Sequence, residues 1–388
     1  MGIGMEIEYR APDAVRAVIG ALGQTEDVRF SPSNHRLAIA AFNRHRVVVL
    51  DVDIAKSGAT QAVALTGCVE ISSPALNYPH GLDFLDEETL VVANRNGDVA
   101  IFKLPPAGNH PSELLPVQTL AAGKGSLLNA PGSVAVIRRD QRLSELLICN
   151  NSGHSVTRHL IDRSADCSVT GSEVLLKKWL NLPDGVCVSD DRRWIAVSNH
   201  NTHGVLLYEC SPSLSEYSSP DGVLRGVYFP HGLRFSSDGQ YLFVADAGAP
   251  FVHIYASDGR GWRGGRNPAA SLRIMDEPLF LRGRQNPQEG GPKGIDVASG
   301  MNVLVATSEH QPLVFYDMAA ILAKVPSETP VMEVEYEFGI LEQAERLQMR
   351  ADQAEARARK AKARLKKRKL KWLRAPLRRA YSALWRLN

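Results

Sequence analysis

The sequence predicts an all-β protein, a six-bladed β-propeller, extended at its C-terminus by a basic α-helical segment. Three observations predict it. A unit of short alternating strands recurs six times, the recurrence has a spacing of roughly 50 residues, and after Gly339 the pattern gives way to helical spacing and positive charge. Repeats of this length build propeller blades, and each blade buries its faces only against its neighbours, so the ring must close.

The unit is clearest in FPHGLRFSSDGQYLFVADAGAPFVHIY, residues 229–255. Residues 233–235 alternate, Asp238 and Gly239 mark a turn, and 241–245 form an apolar run suited to a buried strand. Residues 247–250 turn again, and 251–255 supply a third strand. Related copies begin at Glu26, Tyr78, Ala130, Leu182 and Gly291. Alignment on Asp27, Gly81, Gly132, Gly185, Gly232 and Gly294 gives separations of 54, 51, 53, 47 and 62 residues.

The expected organisation is an N-terminal segment over 1–24, the propeller over 25–338 and a helical tail over 339–388. A strand-like run at 5–9 and another at 331–338 each suit the role of closing strand, and the residues leave that choice open. Two long connections, 104–130 and 257–291, are expected as surface insertions, with a rim over one mouth of the ring as the functional alternative. The five cysteines show no metal-type spacing, and those in apolar runs behave as small hydrophobes. With no secretion-type leader and no apolar run of about 20 residues, a reduced, cytoplasmic protein is expected, peripheral to the inner face of the membrane if the tail docks there.

The formal charge of +3 conceals two unlike parts. Residues 341–388 hold 16 Lys/Arg against 4 Asp/Glu, and the other 340 residues hold 29 against 38. Within the tail, alanine and leucine at 3,4 spacing over 341–365 suit a self-associating helix. Residues 357–371 are densely basic, and Leu370, Leu373, Leu377, Tyr381 and Leu384 then form one stripe near Trp372 and Trp385. That combination suits contact of 357–388 with an anionic membrane surface. The charge alone would attract phosphates, but nothing here reads bases, so nucleic acid is not the expected partner. The end LRAPLRRAYSALWRL resembles the basic termini of some bacterial polysaccharide glycosyltransferases, without any nucleotide-sugar motif beside it.

In a propeller the first strand of each blade lines the central channel. The residues preceding the aligned positions are Glu26, His80, Pro131, Asp184, His231 and Lys293, five of them ionisable in otherwise apolar surroundings. They are expected to converge near one mouth, with Glu26 facing Asp184 and His80 facing His231 three blades apart. A second set, Asn94, Asn150, Asn199, Asp246 and Thr307, follows the middle strands and reads as turn chemistry. His154, His159, His200 and His203 are expected to be solvated rather than ligating.

LPDGVCVSDDRRWIAV resembles the PDG-type repeat of the gluconolactonase/regucalcin family, and PHGLRFSSDGQYLFVAD resembles blades of other propeller lactonases and of NHL-type propellers; the likeness runs over residues 25–317. In the gluconolactonase type, a Glu ahead of the first-blade glycine position, an Asn from a later blade and the Asp of PDG bind one divalent cation. Glu26 and Asp184 match the Glu and the Asp. No Asn precedes an aligned position, His231 is the nearest substitute, and Asp27 stands where the family has glycine. Calcium prefers all-oxygen sites, whereas His80 and His231 suit zinc, manganese or iron. The expected cofactor is therefore one divalent ion from this set (Ca, Zn, Mn or Fe), held by Glu26, Asp184, His231 and His80.

Two functions follow. One is a binding or scaffold propeller, taking a small-molecule or protein ligand at its face through His80 and Lys293 and docking through its tail. The other is a metal-dependent lactonase or esterase, with Glu26 or Asp184 as the base. Lys293 would neutralise the carboxylates without any metal, and this favours the first.

Overall fold

The computed structural model describes residues 5–57, 60–259, 261–326 and 330–332 and, discontinuously, residues between 338 and 362. Their strands form six sheets. Each sheet starts from a strand at the axis: Thr25–Phe30, Pro79–Asp86, Pro131–Arg138, Pro183–Val188, Pro230–Phe235 and Gly294–Ala298. The expected six-bladed propeller is the fold.

The middle strands explain why the apolar runs are continuous rather than alternating. In Arg36–Ala41, Leu37, Ile39 and Ala41 pack into a core shared with the sixth blade, while Ala38 and Ala40 pack into a core shared with the second. Both faces are covered, so every residue from Leu37 to Ala41 is apolar. The same sandwiching joins the second blade to the third, the fourth to the fifth and the fifth to the sixth. Cys187 is fully buried in the layer between the fourth and fifth blades, and Cys149 is fully buried within the third, both as small hydrophobes.

The N-terminal segment closes the ring. Glu6 and Ile7 pair with Tyr316 and Phe315 on the sixth blade, and the Asp317 amide donates to the Met5 carbonyl. The last blade thus takes its outer strand from the beginning of the chain. The competing run, of which 331–332 are described, instead adds to the fourth blade through Gly265 and Arg266.

The two long connections reinforce blade edges. Residues 109–113 run parallel to Thr60–Ser72 at the edge of the first blade, and Gln118–Leu120 completes the second. Gly264–Arg266 joins the fourth blade and Ala270–Arg273 the fifth, followed by the helix Glu277–Gly283, capped by Asp276. Only after that helix does the second connection approach the channel, at Gln288 and Glu289.

Residues 1–334 form one compact unit and 335–388 another. The described residues between 338 and 362 are helical, as the spacing predicts; those of the basic and tryptophan-bearing end beyond 362 lie outside the described residues. No helix among the described residues is long and apolar enough to cross a membrane.

Candidate metal and ligand pocket

In five of the six axial strands one residue sits at an irregularity in pairing that faces the channel; the sixth, Gly294–Ala298, pairs in unbroken register. The ladders skip between Thr25 and Val28, Pro79 and Gly81, Pro131 and Ser133, Pro183 and Val186, and Pro230 and Leu233. A β-bulge of this kind re-aims a side chain that a regular strand would send elsewhere. The bulged residues include Glu26, His80, Asp184 and His231.

The pairing also corrects the register of the third blade. Pro79, Pro131, Pro183 and Pro230 oppose Asn94, Asn150, Asn199 and Asp246. Gly132, not Pro131, therefore stands in line with His80 and Asp184, and Ser133 takes the place of the aligned glycine. A degenerate copy with glycine one position early hid the slip.

The aligned glycine is required by the approach of the next blade. A Cβ on Gly185 would lie 2.2 Å from the His231 carbonyl oxygen, and one on Gly232 would lie 2.4 Å from that of Lys293. Backbones touch here, which brings successive axial residues close enough to interact.

The five ionisable residues expected to converge do so, and all are buried. His231 Nε2 lies 3.2 Å from Glu26 Oε2 and 3.1 Å from Asp184 Oδ2; His80 Nε2 lies 3.4 Å from Glu26 Oε2 and 3.9 Å from Asp184 Oδ1. The two imidazoles stack with centroids 5.1 Å apart. Lys293 Nζ donates to Glu26 Oε1 at 2.8 Å and reaches Glu289 Oε2 at 2.7 Å. Gln24 also donates to Glu26 Oε1.

His80 Nδ1 lies 2.7 Å from the Gly132 carbonyl oxygen, which can only accept, so Nδ1 carries the proton and the Nε2 lone pair accepts from Arg95 Nη2. Burial and then Arg95 drive the His80 pKa down to about 3 against the pull of the carboxylates, so the ring is neutral. His231 is the opposite case. Burial lowers its pKa, but the Asp184 and Glu26 carboxylates outweigh burial and raise it. Burial likewise opposes ionisation of Glu26 and Asp184, yet Lys293 and the imidazoles hold Glu26 well below the usual carboxylate range, and His231 and Arg95 do the same for Asp184.

Arg95 and Asn151 escaped the sequence reading, and His200 was expected in solvent rather than in the site. Arg95 follows Asn94, Asn151 follows Asn150 and His200 follows Asn199, at one register just above the axial ring. Arg95 Nη2 donates to Asp184 Oδ1 at 2.7 Å, Asn151 donates to the same oxygen at 3.2 Å, and His200 Nδ1 lies 3.3 Å from the Pro230 carbonyl oxygen. These groups, with Phe42, Gln288 and Glu289, line a cavity of about 220 Å³ above Glu26, His80, Asp184, His231 and Lys293. The signal was available: the residue after each middle-strand Asn shares a register.

Four of the five middle-strand residues perform the expected turn chemistry, with a further consequence; the buried Thr307 hydroxyl makes no hydrogen bond among the described residues. Asn94, Asn150 and Asn199 accept the amides of Asn77, Asn129 and Asn181, and Asp246 accepts those of Tyr228 and Phe229. Each bond anchors the loop that leads into the next axial residue. The loop histidines divide. His154 Nδ1 accepts the Leu182 amide and His203 Nδ1 contacts the Tyr228 carbonyl, tying neighbouring blades at the surface. His159 and His200 are not solvated as expected but buried, His159 between Thr157 and Ser172 and His200 in the pocket wall.

Deeper in the channel, a second charged layer centres on Arg29, whose guanidinium lies 3.5–3.6 Å from Asp27, Asp83 and Asp296; Arg234 adds a contact of 2.7 Å to Asp296. The same carboxylates accept the amides of Leu82, Val136 and Phe30 on following blades. Space here shrinks to about 10 Å³, room for about one water. The pocket therefore has a polar, ion-paired floor.

Glu26 Oε2 allows a test of whether this site fits a metal. It is buried and faces two imidazole nitrogens, His231 Nε2 at 3.2 Å and His80 Nε2 at 3.4 Å. One donor atom each from Glu26, His80 and His231 lies within 4.8 Å of the others. Metal–ligand bonds of ~2.0–2.2 Å place neighbouring donors roughly 3.0–3.6 Å apart. The contacts of 3.1–3.4 Å fall on that spacing, and the His80–Asp184 contact of 3.9 Å lies beyond it. The donor set fits a divalent transition metal, and the His80 Nδ1 bond to Gly132 is the kind that orients a ligating imidazole.

No protein-family model matches this chain. No curated protein matches it. Among solved structures, it is similar to hydrazine synthase of Kuenenia stuttgartiensis at 14% identity, covering 76% of this chain and 84% of that one with a TM-score of 0.46. It is also similar to a Bacteroides fragilis protein provisionally described as a 6-phosphogluconolactonase, at 11% identity, 79% and 84% coverage and a TM-score of 0.49. A third is the β-propeller domain of Cps50 (Swd1) from Myceliophteria thermophila, at 12% identity, 76% and 83% coverage and a TM-score of 0.44. These likenesses concern the fold, and none lends this chain a residue role.

Proposed function

We propose that the chain is a binding propeller whose central pocket takes a small polar ligand above a divalent transition-metal ion held by Glu26, His80 and His231, with Asp184 as a further donor. The observation that carries this reading is the convergence of one buried donor atom each from Glu26, His80 and His231 within 4.8 Å of one another, with Glu26 Oε2 3.2 and 3.4 Å from the two imidazole nitrogens. Buried carboxylates are paired or coordinate a metal, and an ion bound here would take the place of the proton on His231. A bound ion would polarise a carbonyl or acidify a water. Around it, Lys293 and Gln24 hold Glu26 through Oε1 and leave Oε2 directed at the imidazoles, while Asn151 and Gln288 offer neutral hydrogen-bonding groups to a ligand.

Elemental analysis of the full-length protein, followed by zinc and manganese titration of the chelator-treated form, tests the reading. One ion per chain is expected, lost in Glu26→Gln/Asp184→Asn. A protein with no stoichiometric ion and no titration heat would end it.

A second reading, hydrolysis of a lactone or ester, is favoured by His200. Its Nδ1 is engaged at the Pro230 carbonyl, burial lowers its pKa, and it lies 3.9 Å from Asp184 in the cavity wall. A neutral imidazole there suits a general base. Turnover of simple lactones, abolished by His200→Gln with metal content unchanged, would support it.

A further inference from the structure

Arg95 enters the centre of the ring through a gap. It leaves the second blade immediately after Asn94, and in the third blade the axial position belongs to Gly132. A Cβ on Gly132 would lie 3.0 Å from Arg95 Nη1 and 3.0 Å from Asp184 Oδ1. The missing side chain thus makes the space that the guanidinium occupies.

What Arg95 does there conflicts with the cation site. Its Nη2 lies 2.5 Å from His80 Nε2 and 2.7 Å from Asp184 Oδ1. Arginine only donates, so it takes the lone pair that His80 would give to a cation. A guanidinium and a divalent ion also repel at this range. The Arg95 side chain lines the cavity and is 19% exposed, so it has somewhere to turn.

We infer that Arg95 is a displaceable plug: its guanidinium competes with the cation for His80 and Asp184, and when displaced it turns into the cavity and pairs with an anionic group of the ligand, so that cation and anion load together. The inference rests on the metal-site reading above and adds its regulation and the charge of the ligand. The anionic group replaces the partner that Arg95 loses at Asp184, and this is what couples the two sites. Coupling of this kind is reciprocal, typically about 5- to 150-fold in affinity.

The test is calorimetric titration of zinc into chelator-treated full-length protein, with and without acetate as the anionic probe, for wild type, Arg95→Met and Arg95→Lys. Circular dichroism confirms that each is folded. Arg95→Met is expected to bind zinc about tenfold more tightly than wild type without acetate and to ignore acetate, whereas wild type gains about fivefold or more when acetate is added. Arg95→Lys keeps the charge but not the fork, and is expected to bind zinc more tightly than wild type while still responding to acetate. Equal or weaker zinc binding by Arg95→Met overturns the plug and leaves the metal site standing. Zinc binding by none of the three overturns both.

Discussion

Lys293 Nζ lies 2.8 Å from Glu26 Oε1, a contact between residues 267 positions apart that bridges the sixth blade and the first. The seam where the ring closes is therefore also part of the pocket. Both side chains are almost wholly enclosed, and the backbones beneath them are as close: a Cβ on Gly294 would lie 2.8 Å from the Asp27 carbonyl carbon. Stability of the ring and charge balance in the pocket depend on the same pair.

Lys293→Met is expected to cost about 3–5 kcal/mol, because removing one partner strands a buried charge. Glu26→Gln/Lys293→Met should recover part of that loss. Urea unfolding of both single variants and the double gives the coupling energy; additive effects would show that the pair is not coupled.

Gly232→Ala should be far more damaging than an alanine normally is. Its Cβ would sit 2.4 Å from the Lys293 carbonyl oxygen, and that oxygen accepts the Gly232 amide. Relief requires moving one blade against the next, for an expected loss of about 1–3 kcal/mol or more. Gly239→Ala, on an outer turn with nothing near the new methyl but a φ of +69°, separates the crowding effect from backbone strain. A melting temperature for Gly232→Ala no lower than that of Gly239→Ala would contradict the crowding account.

His159 should make the third blade sensitive to acid. Burial holds its pKa at about 4, below the ordinary value of 6.5. Below pH 6.5 the unfolded chain takes up the proton first, so the stabilisation present above 6.5 drains away as pH falls towards 4. The full contribution is on the order of 3 kcal/mol. His159→Gln, which can still bond Thr157 and Ser172, should flatten that part of the stability–pH curve. Identical slopes for variant and wild type between pH 7 and 4.5 would refute the assignment.

The basic run and tryptophans of 357–388 should bring the protein down with vesicles containing anionic lipid, and less so as salt is raised. A chain ending at residue 340 should stay in the supernatant. Equal sedimentation of the two chains would remove the tail from any membrane role.

Much of this site could be read before any coordinates. Glu26, His80, Asp184, His231 and Lys293 were recognisable because each stands at a fixed offset in a repeat and is ionisable where its neighbours are apolar. Arg95, Asn151 and His200 were not, since a polar residue after a middle-strand Asn looks like any turn residue until the loops are seen to converge. Gly132 was missed for a different reason: a glycine carries no side chain to signal that its absence is the functional feature. In the sequence Asp83 and Asp296 look like ordinary strand polarity, although their carboxylates join blade to blade.

The sequence alone determined the repeat, the number of blades and the ring of charged residues, because strand period and turn chemistry are local properties that each copy states separately. Only the tertiary structure decided which end of the chain closes the ring, how the third blade is registered, and that Arg95 passes over Gly132 to reach His80 and Asp184. These depend on which backbones come within van der Waals contact around the axis, a relation between blades that no single repeat encodes.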